Sequence, residues 1–294
     1  MASKRQTTGV LGLDELLGGG LVPGTLTVVA GATGIGKTQL GLQYLHAGRQ
    51  ADGRAGVLFD VSSRGDSQNH AAYAQRMFDW TPAVYDVDAP FDPHEVYDLA
   101  RDLGHYLHIF DYRGRRVTKR DLDWNQWHDW QAELNQKLER AIAFLYGNFV
   151  RGGRRVVVDG VEPTDTPNDS IQLNLFEYLY HQVLRKDPQW VARDLFRAHY
   201  REHAAEAENY NYPTQDIGCV LLYTSHEIML DDLISRPLDE GDALSNANTL
   251  IYMGKIREGS KIGRALYVAK HRGSACNEAI VPYTIDDQGL KLQL

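Results

Sequence analysis

Apolar residues fall along this chain in short β-branched runs, separated by stretches in which they recur every three or four positions. Residues 25–30 (TLTVVA), bounded by glycines, predict a strand. Residues 57–61, 106–110, 155–159 and 219–224 predict four more, most of them apolar enough to be covered on both faces. Between them the rhythm changes. Residues 39–46 set Leu40, Leu42, Tyr44 and Leu45 among polar neighbours, and 131–149 carries Leu134, Leu138, Ile142, Leu145 and Phe149 at helical spacing. Residues 171–184 place Leu175, Phe176, Leu179 and Val183 on one helical face, and Asp92 caps a helix over 92–103 that opens on Pro93. From residue 249 onward the runs TLIYM, RALYVAK and EAIVPYTI, spaced by glycines, predict antiparallel strands. Strands alternating with helices imply an α/β fold, a mostly parallel sheet flanked by helices and extended by C-terminal antiparallel strands. No shift in composition marks a boundary, so 1–294 reads as a single domain with an insertion at 187–213.

The first strand runs into Gly31-Ala-Thr-Gly-Ile-Gly-Lys37-Thr38, a complete G-x-x-x-x-G-K-[ST] P-loop, or Walker A motif. Such a loop turns backbone N–H groups inward around phosphate oxygens, which bulky side chains would obstruct. Thr33, Gly34, Ile35, Gly36, Lys37, Thr38 and Gln39 are therefore the expected nucleotide-binding residues. Lys37 adds a cation near the outer phosphates, and the Thr38 hydroxyl faces Mg²⁺. A P-loop needs a second acid on the metal side, at the end of a neighbouring strand. The valine run ending in Asp159 supplies it. The expected ligands are ATP and Mg²⁺.

The opening TTGVLGLDELLGGGLVPGTLTVVAGATGIGKT resembles the KaiC-like branch of the RecA superfamily, which begins with a TGIPGLDELLGGGLP-G stretch leading into its P-loop. Thr8, Gly9, Gly12, Leu13, Asp14, residues 16–20 and Gly24 fit that pattern. Near the other end, Val268-Ala-Lys270-His-Arg272-Gly-Ser274 is similar to the family's V-x-K-x-R-G-S strand and its following hairpin. The resemblance implies a RecA-type P-loop NTPase core and assembly into a homo-oligomeric, hexameric ring with ATP between subunits. By the same resemblance, Lys270 and Arg272 reach the γ-phosphate on a neighbouring subunit. Cations there stabilise charge developing on the transferred phosphoryl group.

In that family the second strand ends in one or two glutamates that position and deprotonate the attacking water. Here VLFDVSS places Ser62 and Ser63 at those positions. A serine hydroxyl can orient a water but is too weakly basic to take its proton near neutral pH. Loss of a general base costs about 10²–10⁴ in rate. The expectation is weak or slow ATP hydrolysis, with ATP serving a regulatory or scaffolding assembly. The alternative is a competent ATPase switch in which a relocated acid takes over: Glu162 foremost, or Asp60 or Asp66. Thr224 and Ser225 close the next strand, as a phosphate sensor or a simple cap.

A formal charge of −8 argues against broad attraction to nucleic acid or anionic lipid. The two loops that would face DNA in RecA relatives are acidic. Residues 162–169 carry no base, and 227–242 hold six acids against Arg236. Nucleic acid is thus disfavoured, although a DNA recombination or repair accessory ATPase stays as an alternative. The basic stretch at 113–120, followed by Trp124, Trp127 and Trp130, reads as a solvated loop and a helix start or as a nucleic-acid surface. Within the insertion, an expected helix begun by Asp187-Pro188 sets Arg193, Arg197 and Arg201 on one face, a candidate docking surface for a protein partner. His199 and His203 share four-residue spacing but have no third metal ligand, and read as surface histidines. Two cysteines, no apolar leader segment and no membrane-length apolar run give a cytoplasmic, non-membrane expectation.

Overall fold

Strand β1 (Leu26–Gly31) runs through the middle of a sheet with parallel neighbours on both sides, β5 (Gly218–Thr224) and β6 (Thr249–Glu258). Beyond β5 lie β4 (Arg155–Val161), β2 (Val57–Asp60) and β3 (Tyr106–His108), all parallel. Beyond β6 the sheet turns antiparallel through β7 (Lys261–His271), β8 (Val281–Asp286) and β9 (Gly289–Leu292). The computed structural model describes residues 4–62, 69–90, 92–110, 123–162, 170–236 and 243–294.

The apolar strands divide their side chains between two cores, as a period of two requires. Val28, Phe59, Val158 and Leu221 face one side, with α5 (Trp124–Val150), α6 (Ile171–Leu179) and α7 (Pro188–Phe196) packed over them. Val29, Leu58, Val157 and Leu222 face the other, under α1 (Leu13–Leu16), α2 (Lys37–Ala51) and α3 (His70–Phe78). Asp14 explains part of the opening motif. Its carboxylate accepts hydrogen bonds from the Thr7 hydroxyl and from both N–H and hydroxyl of Thr8, which ties the N-terminal arm to α1. The arm is also held by Arg155 at the start of β4. That guanidinium is buried, ion-paired with Asp52, and donates to the carbonyls of Thr7 (2.6 Å) and Tyr44 (2.9 Å).

Several boundaries differ from the sequence expectation. The Asp92 cap and Pro93 start hold, but α4 (Pro93–Tyr97) stops early because Asp98 turns extended. Helix α5 begins at Trp124 rather than 131, and α6 passes into a π turn at Tyr180–Leu184. The insertion is not one helix. After α7 the chain breaks at Arg197 (φ 47°), makes a short 3₁₀ turn, and resumes as α8 (Ala204–Asn209). Arg193, Arg197 and Arg201 therefore share no continuous helical face. Arg193 stacks over Trp190 (4.9 Å) and Tyr200 (5.2 Å) instead. His199 is exposed beside Glu202, but His203 is buried against His94, Tyr97 and Phe196, so the surface expectation fails for it. These rings pin the insertion to the body.

Candidate functional site

The C-terminal ends of β1, β2, β4 and β5 meet at one edge of the sheet, and the glycine-rich loop after Gly31 rises from its centre. Gly36, at the start of α2, has φ 111°, and a Cβ there would lie 2.5 Å from Ile285 Cδ1. The dihedral favours glycine, and any larger residue would also have to displace the Ile285 methyl. At the crest, Thr33 and Gly34 are exposed, and nothing lies within 4 Å of where a Gly34 side chain would stand. Ile35 points the other way, into the core, and its carbonyl accepts from Tyr283 Oη at 2.6 Å. Gln43 exchanges hydrogen bonds with both backbone groups of Leu290. The C-terminal hairpin thus braces the loop and its helix from below. Gln39 follows on the first turn of α2, half-buried.

Lys37 folds back over this loop. Its Nζ donates to the carbonyls of Gly31 and Ala32, each at 2.9 Å. Burial lowers its pKa to about 8, with the Asp159 charge opposing the shift. The Thr38 hydroxyl donates to Asp159 Oδ2 at 2.8 Å, although 121 positions separate them in sequence. The other oxygen of Asp159 accepts from Gly160 N–H at 2.7 Å. Gly160 has φ 93°, and a Cβ there would fall 2.4 Å from Ser62 N, so glycine lets β4 close against the end of β2.

A histidine that the sequence did not single out completes this cluster. His70 opens α3, its ring is buried, and its Nε2 stands 3.0 Å from Asp159 Oδ2. Behind it, Nδ1 lies 3.7 Å from Asp60 Oδ2. Asp60 is fully buried and accepts from Tyr106 Oη (2.7 Å) and Ser62 N–H (2.8 Å). Burial opposes charge on His70, but the hydrogen bond and charge of Asp159, with Asp60 behind, raise its pKa above the ordinary histidine value. Burial likewise opposes the Asp159 carboxylate, yet His70, Thr38 and Lys37 hold its pKa below the usual range. Local sequence marks His70 only as the residue after a helix cap, Asn69, whose side chain accepts from Ala72 N–H. Nothing in that pattern aims it at Asp159.

Ser62 is buried, with no hydrogen bond to its hydroxyl. Its carbonyl meets His108 Nε2 at 2.9 Å. Glu162 lies just past β4, its N–H held by Gln172, which also donates to the carbonyls of Val61 and Gly160. Ser225 donates to the carbonyl of Glu227, as a strand-end cap would. Lys270 and Arg272 are elsewhere. Lys270 pairs with Leu250, which pairs with Val28 near the start of β1, whereas the loop leaves from Gly31 at the other end. Lys270 Nζ donates to Ser245 O at 2.8 Å, and Arg272 is exposed. Ser63, Asp66, residues 113–120, the acids at 165 and 169 and those at 239, 240 and 242 lie outside the described residues, as do the side chains of Trp124, Trp127 and Trp130.

An open glycine crest, a buried lysine and a hydroxyl–carboxylate oxygen pair fit phosphate groups with a hard divalent ion such as Mg²⁺. Among the described residues no three His, Cys, Asp or Glu side chains converge to hold a metal by themselves, and no helix is long and apolar enough to cross a membrane. A family model described as "ATPase: KaiC" matches residues 6–84. The chain is similar to the circadian clock protein KaiC2 of Synechocystis sp., 38% identical over 74 residues, 24% of this chain and 13% of that one. It is 48% identical over 58 residues to the DNA repair protein RadA of Mycobacterium tuberculosis, covering 20% of this chain and 12% of RadA. A longer match, 23% identical over 297 residues, joins 99% of this chain to 45% of the circadian clock oscillator protein KaiC of Prochlorococcus marinus. The chain thus spans less than half the length of each of these relatives.

Proposed function

This chain belongs to the KaiC-like branch of the RecA superfamily of P-loop ATPases, and from that premise we propose that it binds ATP with Mg²⁺ between copies of itself and hydrolyses it slowly, as a nucleotide-dependent regulatory or scaffolding assembly. The observation that carries the reading is the Thr38–Asp159 contact at the foot of the glycine loop. When bound, Mg²⁺ supplies charge neutralisation across the outer phosphates. Thr38 and Asp159 would hold it, and the backbone N–H groups of 33–39 would receive the phosphates. Lys37 would exchange the carbonyls of Gly31 and Ala32 for the β- and γ-phosphates.

Slow turnover follows from the end of β2. The buried Ser62 hydroxyl offers no basic group to an attacking water. Phosphate release at saturating ATP tests this, with turnover expected well below the roughly 1 s⁻¹ at the low end of typical enzymes. Glu162→Gln is expected to change it little. Brisk release that collapses in Glu162→Gln would instead establish a relocated base and a competent ATPase.

Assembly follows from β7. Lys270 and Arg272 stand at the far end of the sheet from their own loop, a position that supports a role toward the nucleotide of a neighbouring copy in a hexameric ring. Lys270→Ala with Arg272→Ala is expected to leave ATP binding within a few-fold of wild type and to remove ATP-dependent assembly. Light scattering at micromolar protein, with and without ATP, measures it. A wild-type chain that stays monomeric with ATP would rule the ring out.

A further inference from the structure

His70 has no part in the phosphate contacts of the glycine loop, although its ring is buried beside Asp159 and Thr38. Its Nε2 is 3.0 Å from Asp159 Oδ2, and the same oxygen accepts from Thr38 Oγ1 at 2.8 Å. Two ligands at right angles, each about 2.1 Å from one octahedral ion, stand about 3 Å apart. Both separations match that edge. The other side of the ring meets Asp60. Nδ1 is buried, makes no hydrogen bond and lies 3.7 Å from Asp60 Oδ2. Asp60 is fixed in turn by Tyr106 and Ser62 N–H. A carboxylate behind a histidine, fixing its tautomer and ring plane, is the usual support of a metal-bound imidazole.

We propose that His70 is a ligand, through Nε2, of the divalent ion held by Thr38 and Asp159, and that the site therefore accepts a first-row transition ion such as Mn²⁺ or Co²⁺ in preference to Mg²⁺. The proposal rests on the nucleotide reading, since nucleotide phosphates fill the remaining coordination positions. Hydroxyl and carboxylate oxygens suit Mg²⁺, which prefers an all-oxygen shell. An imidazole nitrogen moves the preference toward ions later in the first row. Ligation needs Nε2 bare and the ring hydrogen on Nδ1. Asp60 stands where that hydrogen would be accepted, after a ring shift of less than an ångström, from 3.7 Å to about 3 Å.

Pulsed electron paramagnetic resonance of the full chain with Mn²⁺ and ATP tests this, with only the histidines labelled by ¹⁵N. A coordinated imidazole nitrogen modulates the Mn²⁺ echo, and the label changes that modulation while leaving adenine nitrogens untouched. The expected result is label-dependent coupling in the wild type and its loss in His70→Asn and His70→Ala. The ratio of Mn²⁺-supported to Mg²⁺-supported ATP affinity should fall by roughly tenfold in the same variants. Should neither variant fold, the label experiment on the wild type still decides. ATP binding in Mn²⁺ with no histidine coupling overturns the proposal. So does equal tightening in both ions by His70→Ala, which would make His70 an obstacle to the ion rather than its ligand. If ATP binds neither with Mn²⁺ nor with Mg²⁺, the nucleotide reading itself falls, and the ligand role with it.

Discussion

Lys37→Ala is expected to erase the ATP-dependent rise in melting temperature and to weaken ATP binding by about a hundredfold or more, from ~3 kcal/mol for a desolvated charge pair. The ligand-free protein should be no less stable, because the variant removes a cation that burial already disfavours. The pH dependence has a definite sign. A lysine held near 8 in the folded chain and near 10.5 unfolded binds fewer protons when folded across that window. Stability of the ligand-free chain from this group therefore rises from about pH 8 to 10.5, and Lys37→Ala loses that rise. ATP acts in the opposite sense, because phosphate needs the protonated amine. Above about pH 8 binding must take up a proton, and affinity should fall by up to roughly tenfold per pH unit. Titration calorimetry in two buffers of different ionisation enthalpy reads the uptake. Wild-type ATP stabilisation in Lys37→Ala would remove the loop from nucleotide binding.

Arg155→Ala is expected to cost about 2–4 kcal/mol of folding stability, because it strands buried backbone acceptors and removes a fully enclosed side chain, while Asp52 stays partly in solvent. Its guanidinium is fully enclosed, lies 4.9 Å over the Tyr44 ring, and joins Asp52 after α2 to the Thr7 carbonyl in the N-terminal arm. Alanine would leave the Asp52 carboxylate without its partner and the Thr7 carbonyl without its donor. Arg155→Met, Asp52→Asn should recover part of the loss, because apolar volume returns and the stranded charge is gone. Urea unfolding of the three proteins measures this. A loss under about 1 kcal/mol in Arg155→Ala would mean that the pair is effectively solvated.

The parts of the fold that depend on near neighbours were legible in the sequence. The valine run to Asp159, the glycine loop and the alternation of strands with helices each carry a local physical signal, and β1, β4 and β5 lie where that signal puts them. The contacts of the site were partly legible. Thr38 and Asp159 were expected together because a motif names both partners. Asp60 and His70 were not, because their meeting depends on β2 lying beside β4 and on α3 opening above both. Sheet order of that kind is set by packing, not by spacing. The same limit explains the insertion. Arginines at 193, 197 and 201 have helical spacing, but the break at Arg197 has no glycine or proline to announce it.

The brace beneath the glycine loop has a consequence for how the molecule is made. Residues 31–38 leave the ribosome before Tyr283, Ile285 and Leu290, which hold the loop and its helix; Tyr283 follows Ile35 by 248 positions. A nascent chain that has completed β1 and α2 has the loop's sequence without its support. Contacts between such distant residues form slowly and late. The glycine loop is therefore synthesised well before the hairpin that braces it, and it takes its final shape only when that hairpin closes beneath it.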